Sequence, residues 1–163
     1  MRLFRTGIRI AVLLAWVLVF TAALLAQDQA LRLNPHLDYN SDSADGPLIT
    51  GNDTQTGVVA GRPNYVMIYS EGCFNSKRQA RRTVALSERY KDRVNFVIID
   101  LDKPQSPAQL KLVERYYEGA IPDLVVVDSN GKPVYNRAGE QSEEVLSHIL
   151  DAALLGTASQ EKH

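Results

Sequence analysis

Apolar runs typical of buried strands alternate with helical spacings of apolar residues from residue 57 towards the end of the chain. The patterns predict strands at 65–70, 94–99, 124–127 and 133–135, and helices at 75–93, 107–117 and 143–155. The last two strands flank Asn130-Gly131, a pair typical of a tight hairpin turn. Alternating strands and helices followed by a hairpin and a last helix indicate an α/β fold, with a central mixed sheet and helices on both faces.

The only cysteine of the chain, Cys73, lies where the first predicted strand gives way to a helix. The unpaired N–H groups at a helix N-terminus favour a thiolate over a thiol, and we expect the nearby Lys77 and Arg78 to favour it further. Ser76 lies one turn on, where its hydroxyl can donate a hydrogen bond to the sulfur but cannot form a disulfide. Cys73 and Ser76 are therefore the candidate catalytic residues. The alternative is that Cys73 is a small buried hydrophobic residue, as free cysteines often are.

A basic flank with Arg2, Arg5 and Arg9 precedes an uncharged run from residue 10 to residue 26. This is the pattern of an export signal, and the run is intermediate in length between a cleaved signal core and a membrane span of about 20 residues. We expect residues 1–26 to be a signal peptide or a membrane anchor, with residues 10–26 in the membrane if the signal is uncleaved. Either form places the body of the protein outside the cytoplasm, as a periplasmic, secreted or membrane-anchored domain.

Residues 27–56 are polar and rich in turn-forming residues, which predicts a tether or an ordered N-terminal extension rather than a second domain. The predicted globular domain covers residues 57–156, and a tail follows at 157–163. A net charge of −1 gives no indication of a nucleic-acid partner. The histidines His36, His148 and His163 are scattered along the chain, so neither a metal site nor a cofactor is predicted.

Four features between Gly57 and Leu155 occur in an order that resembles a thioredoxin-fold domain of the thioredoxin-like superfamily. They are the Cys-x-x-Ser elbow at 73–76, the Ile-Tyr-Ser-Glu-Gly before it, Ala120-Ile121-Pro122, and Asn130-Gly131-Lys132 followed by Gly139. The resemblance implies that the peptide bond between Ile121 and Pro122 is cis. It also implies that this loop, together with Phe74, contacts an extended substrate peptide.

The chain departs from that superfamily at positions that carry its chemistry. Ser76 replaces the second cysteine of the Cys-x-x-Cys motif, Gly72 replaces a tryptophan, and Met67 replaces a buried aspartate. Asp123 follows the proline where a threonine is usual, and a carboxylate aimed at Cys73 would disfavour the thiolate. One cysteine cannot store two electrons unless another molecule supplies a second thiol.

Three functions fit these residues. In the one we favour, Cys73 is a monothiol exchange nucleophile, a disulfide oxidoreductase without a cofactor, whose partners are protein thiols and disulfides or a low-molecular-weight thiol. In the second, the domain is a redox-inert module that binds peptides or proteins through the same groove. The third, an iron–sulfur carrier of the monothiol glutaredoxin type, is disfavoured because Cys73-Phe74-Asn75-Ser76 shares only the ends of the Cys-Gly-Phe-Ser motif.

Overall fold

The computed structural model describes residues 30–51 and 57–160, with side chains as far as residue 156. The chain divides into two compact units, residues 1–30 and 31–163, and every element named below belongs to the second. The predicted export signal at 1–26 lies outside the described residues. Within the described ranges, no helix has both the length and the apolar composition needed to cross a membrane.

The central sheet contains four strands: β3 (Asn64–Tyr69), β4 (Asn95–Asp100), β5 (Asp123–Val127) and β6 (Pro133–Ala138). Their spatial order is β4-β3-β5-β6, with β3 parallel to β4 and antiparallel to β5, and β6 antiparallel to β5 at the edge. All six residues of β3 are buried, as expected for a strand covered on both faces. The predicted mixed sheet is confirmed.

Three helices cover the two faces of this sheet: α1 (Phe74–Arg89), α2 (Pro107–Tyr116) and α3 (Glu143–Gln160). Successive side chains of a strand point to opposite faces. Tyr65 and Met67 of β3 accordingly pack in a core with residues of α1 and α3, whereas Val66 and Ile68 pack in a core with residues of α2. The predicted arrangement of helices on both faces is therefore confirmed, and α1 and α3 share one face.

The first helix ends at Arg89, although its pattern predicts an end at residue 93. The Tyr90 N–H donates to Leu86 O at 2.9 Å, and the Val94 N–H donates back to Tyr90 O at 3.1 Å, which turns the chain towards β4. Asp92 within this turn has a φ of 65°, the left-handed region that ends helical geometry. The turn is built from polar residues that a helical pattern tolerates, so the sequence alone places the helix end too late.

The last strand and the last helix are both longer than their patterns predict. β6 continues to Ala138, which pairs with Asp123, although Asn136 and Arg137 lack a strand-like apolar alternation. α3 continues to Gln160, so part of the predicted tail at 157–163 is helical. Polar residues at a sheet edge and at a helix end carry no apolar periodicity, which is why both boundaries differ from the prediction.

The polar segment before the predicted domain is ordered over residues 31–51. β1 (Arg32–Leu33) and β2 (Ile49–Thr50) form a short antiparallel pair. Leu31, Tyr39 and Leu48 lie in the same core as residues of α1 and α3. Residues 31–51 therefore contribute to the core, which begins before residue 57, where the predicted domain starts.

Candidate functional site

Cys73 is the N-cap residue of α1. Its backbone is extended, with φ −92° and ψ 117°, and its N–H donates to Ser70 O at 3.3 Å across the turn that follows β3. The half-buried Sγ accepts a hydrogen bond from the Ser76 N–H at 3.5 Å. The sulfur thus takes the capping position that a serine or aspartate oxygen usually occupies.

The loop before β5 lies against this thiol. The Ile121–Pro122 peptide bond is cis, as the resemblance to thioredoxin-fold domains implies. The Cys73 thiol donates to Ile121 O at 3.9 Å. Pro122 is buried, and its carbonyl accepts the Gly139 N–H at 2.7 Å, which fixes the loop to the residue that follows β6. The structure therefore brings the predicted nucleophile and the predicted substrate-contacting loop together, while their roles remain predictions.

Ser76 is fully buried one turn into α1. Its backbone N–H faces the sulfur of Cys73, whereas the sequence predicts its hydroxyl in this role. The Ser76 Oγ has no hydrogen-bond partner in the described part of the chain. Buried hydroxyls without a partner are uncommon in folded proteins, and this one occupies the position at which a second cysteine would complete the motif.

The side chain of Lys77, which the sequence predicts to favour the thiolate, is held by the N-terminal extension. This side chain is fully buried, and its Nζ donates to Asp38 O at 2.8 Å, Ser41 O at 2.7 Å and Ser43 Oγ at 3.3 Å. These oxygens all belong to the N-terminal extension, so the positive charge of Lys77 is directed at the extension. A buried ammonium needs acceptors for its three N–H groups, and the extension supplies them.

Arg78 is paired with Glu140, which follows β6. Arg78 Nε lies 2.8 Å from Glu140 Oε2 and its Nη2 lies 2.5 Å from Oε1, and Arg82 Nη1 adds a contact of 3.1 Å to Oε2. Hydrogen bonding to Glu140 raises the pKa of Arg78, and the nearby Cys73 acts in the same direction. The Arg78 hydrogen bond in turn lowers the pKa of Glu140. The charge of Arg78 is thus shared with the carboxylate of Glu140.

Phe74 is the first residue of α1 and is 36% exposed, so its ring offers apolar surface directly after the thiol. The Arg78 guanidinium lies 4.5 Å from the centroid of this ring. A cation over the ring face restrains the ring while leaving part of it open to solvent. The predicted contact of Phe74 with a substrate is therefore sterically available.

Asp123 lies on the opposite face of the sheet from α1. It shares a strand face with Val125, which packs in the core with α2. Its Oδ2 accepts the Glu118 N–H at 3.2 Å, and burial raises the pKa of Asp123. The carboxylate would disfavour the thiolate only if it pointed at Cys73, and the strand alternation instead directs the Asp123 side chain to the other face.

Asp102, which lies outside the predicted site, fixes the turn before Cys73. Its Oδ2 accepts hydrogen bonds from Ser70 Oγ at 2.6 Å and from Glu71 N at 2.7 Å, and these bonds lower the pKa of Asp102. Lys103 Nζ lies 2.9 Å from Glu71 Oε1, so this ion pair also stabilises the turn before Cys73. Because β3 and β4 are parallel, their carboxyl ends lie at the same edge of the sheet. The predicted order of these strands could therefore have placed Asp102, which follows β4, beside the turn that carries Cys73.

Two residues of β3, Met67 and Tyr65, form a buried hydrogen-bonded group with Thr83 of α1. Met67, where the superfamily has a buried aspartate, accepts the Thr83 hydroxyl at 3.4 Å through its Sδ. The neighbouring Tyr65 hydroxyl lies 2.9 Å from Thr83 Oγ1, and burial raises the pKa of Tyr65 to about 12. In the residues that the structure describes, no group of three or more metal-ligating side chains comes together.

Two curated proteins similar to this chain have names that refer to thioredoxin or thiol–disulfide chemistry. The chain is 30% identical over 98 residues to the thiol:disulfide interchange protein TxlA of Synechococcus elongatus, covering 60% of this chain and 50% of that protein. It is 25% identical over 99 residues to the thioredoxin-like protein HCF164, chloroplastic, of Arabidopsis thaliana, covering 61% of this chain and 37% of that protein. The chain thus spans half or less of the length of these relatives. No family model matches it.

A solved structure shows the same fold. The thioredoxin-like protein from Clostridium perfringens superposes with a TM-score of 0.50 at 18% identity, over 59% of this chain and 74% of that one. The mixed sheet, the strand-to-helix elbow with its cysteine and the cis-proline loop are the features of a thioredoxin-fold domain. The chain therefore has the thioredoxin fold, and the curated proteins that it resembles carry names from the same class of protein. Its similarity to a thiol:disulfide interchange protein gives a more specific starting point for its function.

Proposed function

We propose that this protein carries out monothiol thiol–disulfide exchange through Cys73, with an external thiol as the resolving group. The placement of its sulfur carries the proposal: Sγ lies 3.5 Å from the Ser76 N–H at the start of α1 and 3.9 Å from Ile121 O. Exchange needs an accessible sulfur and a neighbouring backbone on which a substrate segment aligns. The name of the relative from Synechococcus elongatus supports the same chemistry.

The exchange has two steps. In the first, the Cys73 thiolate attacks one sulfur of a substrate R–S–S–R′, the Cys73–S–S–R bond forms, and R′–S⁻ leaves with the electron pair. In the second, an external thiolate R″–S⁻ attacks the R sulfur of this mixed disulfide, R–S–S–R″ forms, and Cys73 leaves as the thiolate. Ser76 cannot replace the external thiol, because a hydroxyl forms no disulfide.

The surroundings of Cys73 have distinct roles in this proposal. The backbone at Ile121 and Pro122 aligns the substrate segment, and the exposed ring of Phe74 receives an apolar side chain. Asp102 holds the turn before the nucleophile through its bonds of 2.6 and 2.7 Å to Ser70 and Glu71.

Turnover with a defined substrate tests the proposal. The substrate is a peptide whose cysteine forms a mixed disulfide with cysteamine, and glutathione is the resolving thiol. We expect the wild type to release cysteamine and form the peptide–glutathione disulfide with double-displacement kinetics, and to accumulate a mixed disulfide with the peptide that is visible by intact mass. Cys73→Ser should do neither. A wild-type chain that gives no turnover and no mixed disulfide would contradict the proposal.

We further infer that the exchange takes place outside the cytoplasm, supported by the basic flank and the uncharged run of residues 10–26. The single cysteine makes a direct test simple. A membrane-impermeant maleimide added to intact cells should label the wild type and leave Cys73→Ser unlabelled. Labelling that requires lysis of the inner membrane would contradict the placement.

A second candidate function is a redox-inert module that binds peptides or proteins. It is favoured by the contacts of the two basic side chains that were expected to favour the thiolate: Lys77 Nζ bonds the extension, and Arg78 bonds Glu140. Capture of a partner under reducing conditions distinguishes the two functions. A partner that Cys73→Ser retains and Ile121→Asp loses would favour the module, because binding would then depend on the groove and not on the sulfur.

A further inference from the structure

Residues 38–44, which we name the extension loop, lie beside the turn that carries the thiol. A Cβ added to Gly72 would stand 3.4 Å from Ala44 Cβ and 3.6 Å from Asp42 O, so the loop is in van der Waals reach of the residue that precedes Cys73. Ile121 O lies 3.9 Å from the sulfur itself. Two separate loops therefore flank the half-buried thiol.

Lys77 fixes the extension loop to the nucleophile-bearing helix. Its three acceptors, Asp38 O, Ser41 O and Ser43 Oγ, all belong to this loop, at 2.7–3.3 Å. The Lys77 backbone N–H donates to Cys73 O at 3.0 Å, so the residue that holds the loop is itself one turn from the thiol. A fully buried ammonium is costly unless all of its N–H groups are paired, and the loop can pair them only in a defined conformation.

A second set of contacts holds the extension loop from the solvent side. Arg81 Nη2 donates to Asn40 Oδ1 at 3.4 Å, and its guanidinium lies 5.5 Å from the ring centroid of Tyr39. The Tyr39 ring is buried, and its hydroxyl donates to Leu48 O in the core. The Asn40 N–H donates to Asp38 Oδ1 at 2.8 Å within the loop. The extension loop is therefore a fixed structural element beside the site.

We propose that the extension loop is a substrate-selecting wall of the Cys73 site and that Lys77 is its positioning residue. The inference rests on the proposed exchange function and adds a substrate class: disulfides on unstructured segments or small molecules, in preference to disulfides on the surface of a folded protein. A folded surface around a disulfide would meet the loop at Asp42 and Ala44. An unstructured segment can instead approach past Ile121 and the exposed ring of Phe74.

Two activated disulfides test this selection. One is a cysteine in an unstructured peptide capped as a 2-pyridyl disulfide, and the other is the same cap on a surface cysteine of a small folded protein. In both reactions Cys73 forms a disulfide with the probe sulfur and pyridine-2-thione leaves, so the thione absorbance reports the rate. We expect the wild type to react at least about tenfold faster with the peptide, a ratio that corresponds to about 1.4 kcal/mol in activation free energy.

The ratio of the two rates is the readout, because it cancels any general change in thiol reactivity. Lys77→Met removes the three hydrogen bonds to the extension loop, and we expect the peptide preference to fall by about threefold or more as the folded probe gains access. The matched control is Lys91→Met, an exposed lysine after α1, which should leave the ratio unchanged. Ala44→Phe enlarges the wall at an exposed position and should raise the peptide preference.

The outcomes separate this inference from the function on which it rests. A wild type that reacts with neither probe overturns the exchange function and the inference with it. If the wild type reacts with the peptide, but Lys77→Met and Ala44→Phe have the same ratio of rates as the wild type, only the role of the extension loop is overturned. Should Lys77→Met fail to fold by circular dichroism, the ratio for Ala44→Phe decides.

Discussion

Replacing Asp100 with asparagine should change how the stability of the domain depends on pH. Asp100 ends β4, where its Oδ2 accepts the Tyr69 hydroxyl at 3.0 Å and its Oδ1 accepts the Asp102 N–H at 3.0 Å. Burial raises the pKa of Asp100 from 3.8 to about 6, and the nearby Glu71 carboxylate adds to the increase. Asparagine has nearly the same shape as the protonated acid and cannot ionise.

The sign and size of the effect follow from these values. Below about pH 4 the Asp100 carboxyl is protonated in both the folded and the unfolded chain, so it adds no pH dependence. Between about pH 4 and about pH 6 the unfolded chain releases the proton while the folded chain keeps it, so the free energy of unfolding falls as the pH rises. The full difference corresponds to about 3 kcal/mol, and screening at the exposed part of the side chain reduces it to about 1–2 kcal/mol.

Urea unfolding at a series of pH values measures this contribution. The difference in free energy of unfolding, Asp100→Asn minus wild type, should increase by about 1–2 kcal/mol between pH 4 and pH 7.5. Comparing that difference across pH cancels the constant effect of a changed hydrogen bond. The matched control is Asp45→Asn in the exposed part of the extension. Parallel pH profiles for the wild type and Asp100→Asn would refute the reasoning.

Three further substitutions test the core, the turn and the elbow. Leu48→Ala, at a position with 0% exposure, should lower the free energy of unfolding by about 2–5 kcal/mol in urea, while Leu110→Ala, at 44% exposure, should change it by less than about 0.5 kcal/mol. Asp102→Ala should reduce the hydrogen-exchange protection of the Glu71 N–H, because this N–H donates to Asp102 Oδ2 at 2.7 Å. Unchanged protection would show that Asp102 does not stabilise the turn. Ser76→Cys should form an intramolecular disulfide under mild oxidants, seen as a loss of two hydrogens by intact mass, and a variant that stays reduced would show that the elbow lacks disulfide geometry.

The order of elements was predictable because the central strands are buried on both faces. β3 and β5 are fully buried, and such strands read as continuous apolar runs whatever their neighbours. The cis bond before Pro122 was predictable from the resemblance of its loop. Much of the edge strand β6 is exposed, and its second half is polar and lacks a period-two apolar pattern. The sequence therefore predicts that this strand ends earlier than it does in the structure.

The environment of the site residues was less predictable, because it depends on contacts between distant parts of the chain. Lys77 is followed by other basic residues, yet its partners lie in a polar segment that carries Asp38, Ser41 and Ser43. Leu31, Tyr39 and Leu48 anchor that segment in the core, but polar residues separate them widely in the sequence, so they produce no apolar periodicity. Strand alternation could have shown that Asp123 and Val125 share a face, but only after the start of β5 was known.

The most direct test of monothiol exchange at Cys73 compares the folded protein with its own unfolded chain. The same unstructured peptide, carrying a 2-pyridyl disulfide, is reacted with each at one pH, and a short cysteine peptide in the same urea concentration corrects for the solvent. The Ser76 N–H at the start of α1 and the neighbouring backbone at Ile121 should make the folded chain react at least about tenfold faster than the unfolded one. A folded chain that reacts at the same rate or more slowly would contradict the proposed function, because the fold would then do nothing for its only thiol.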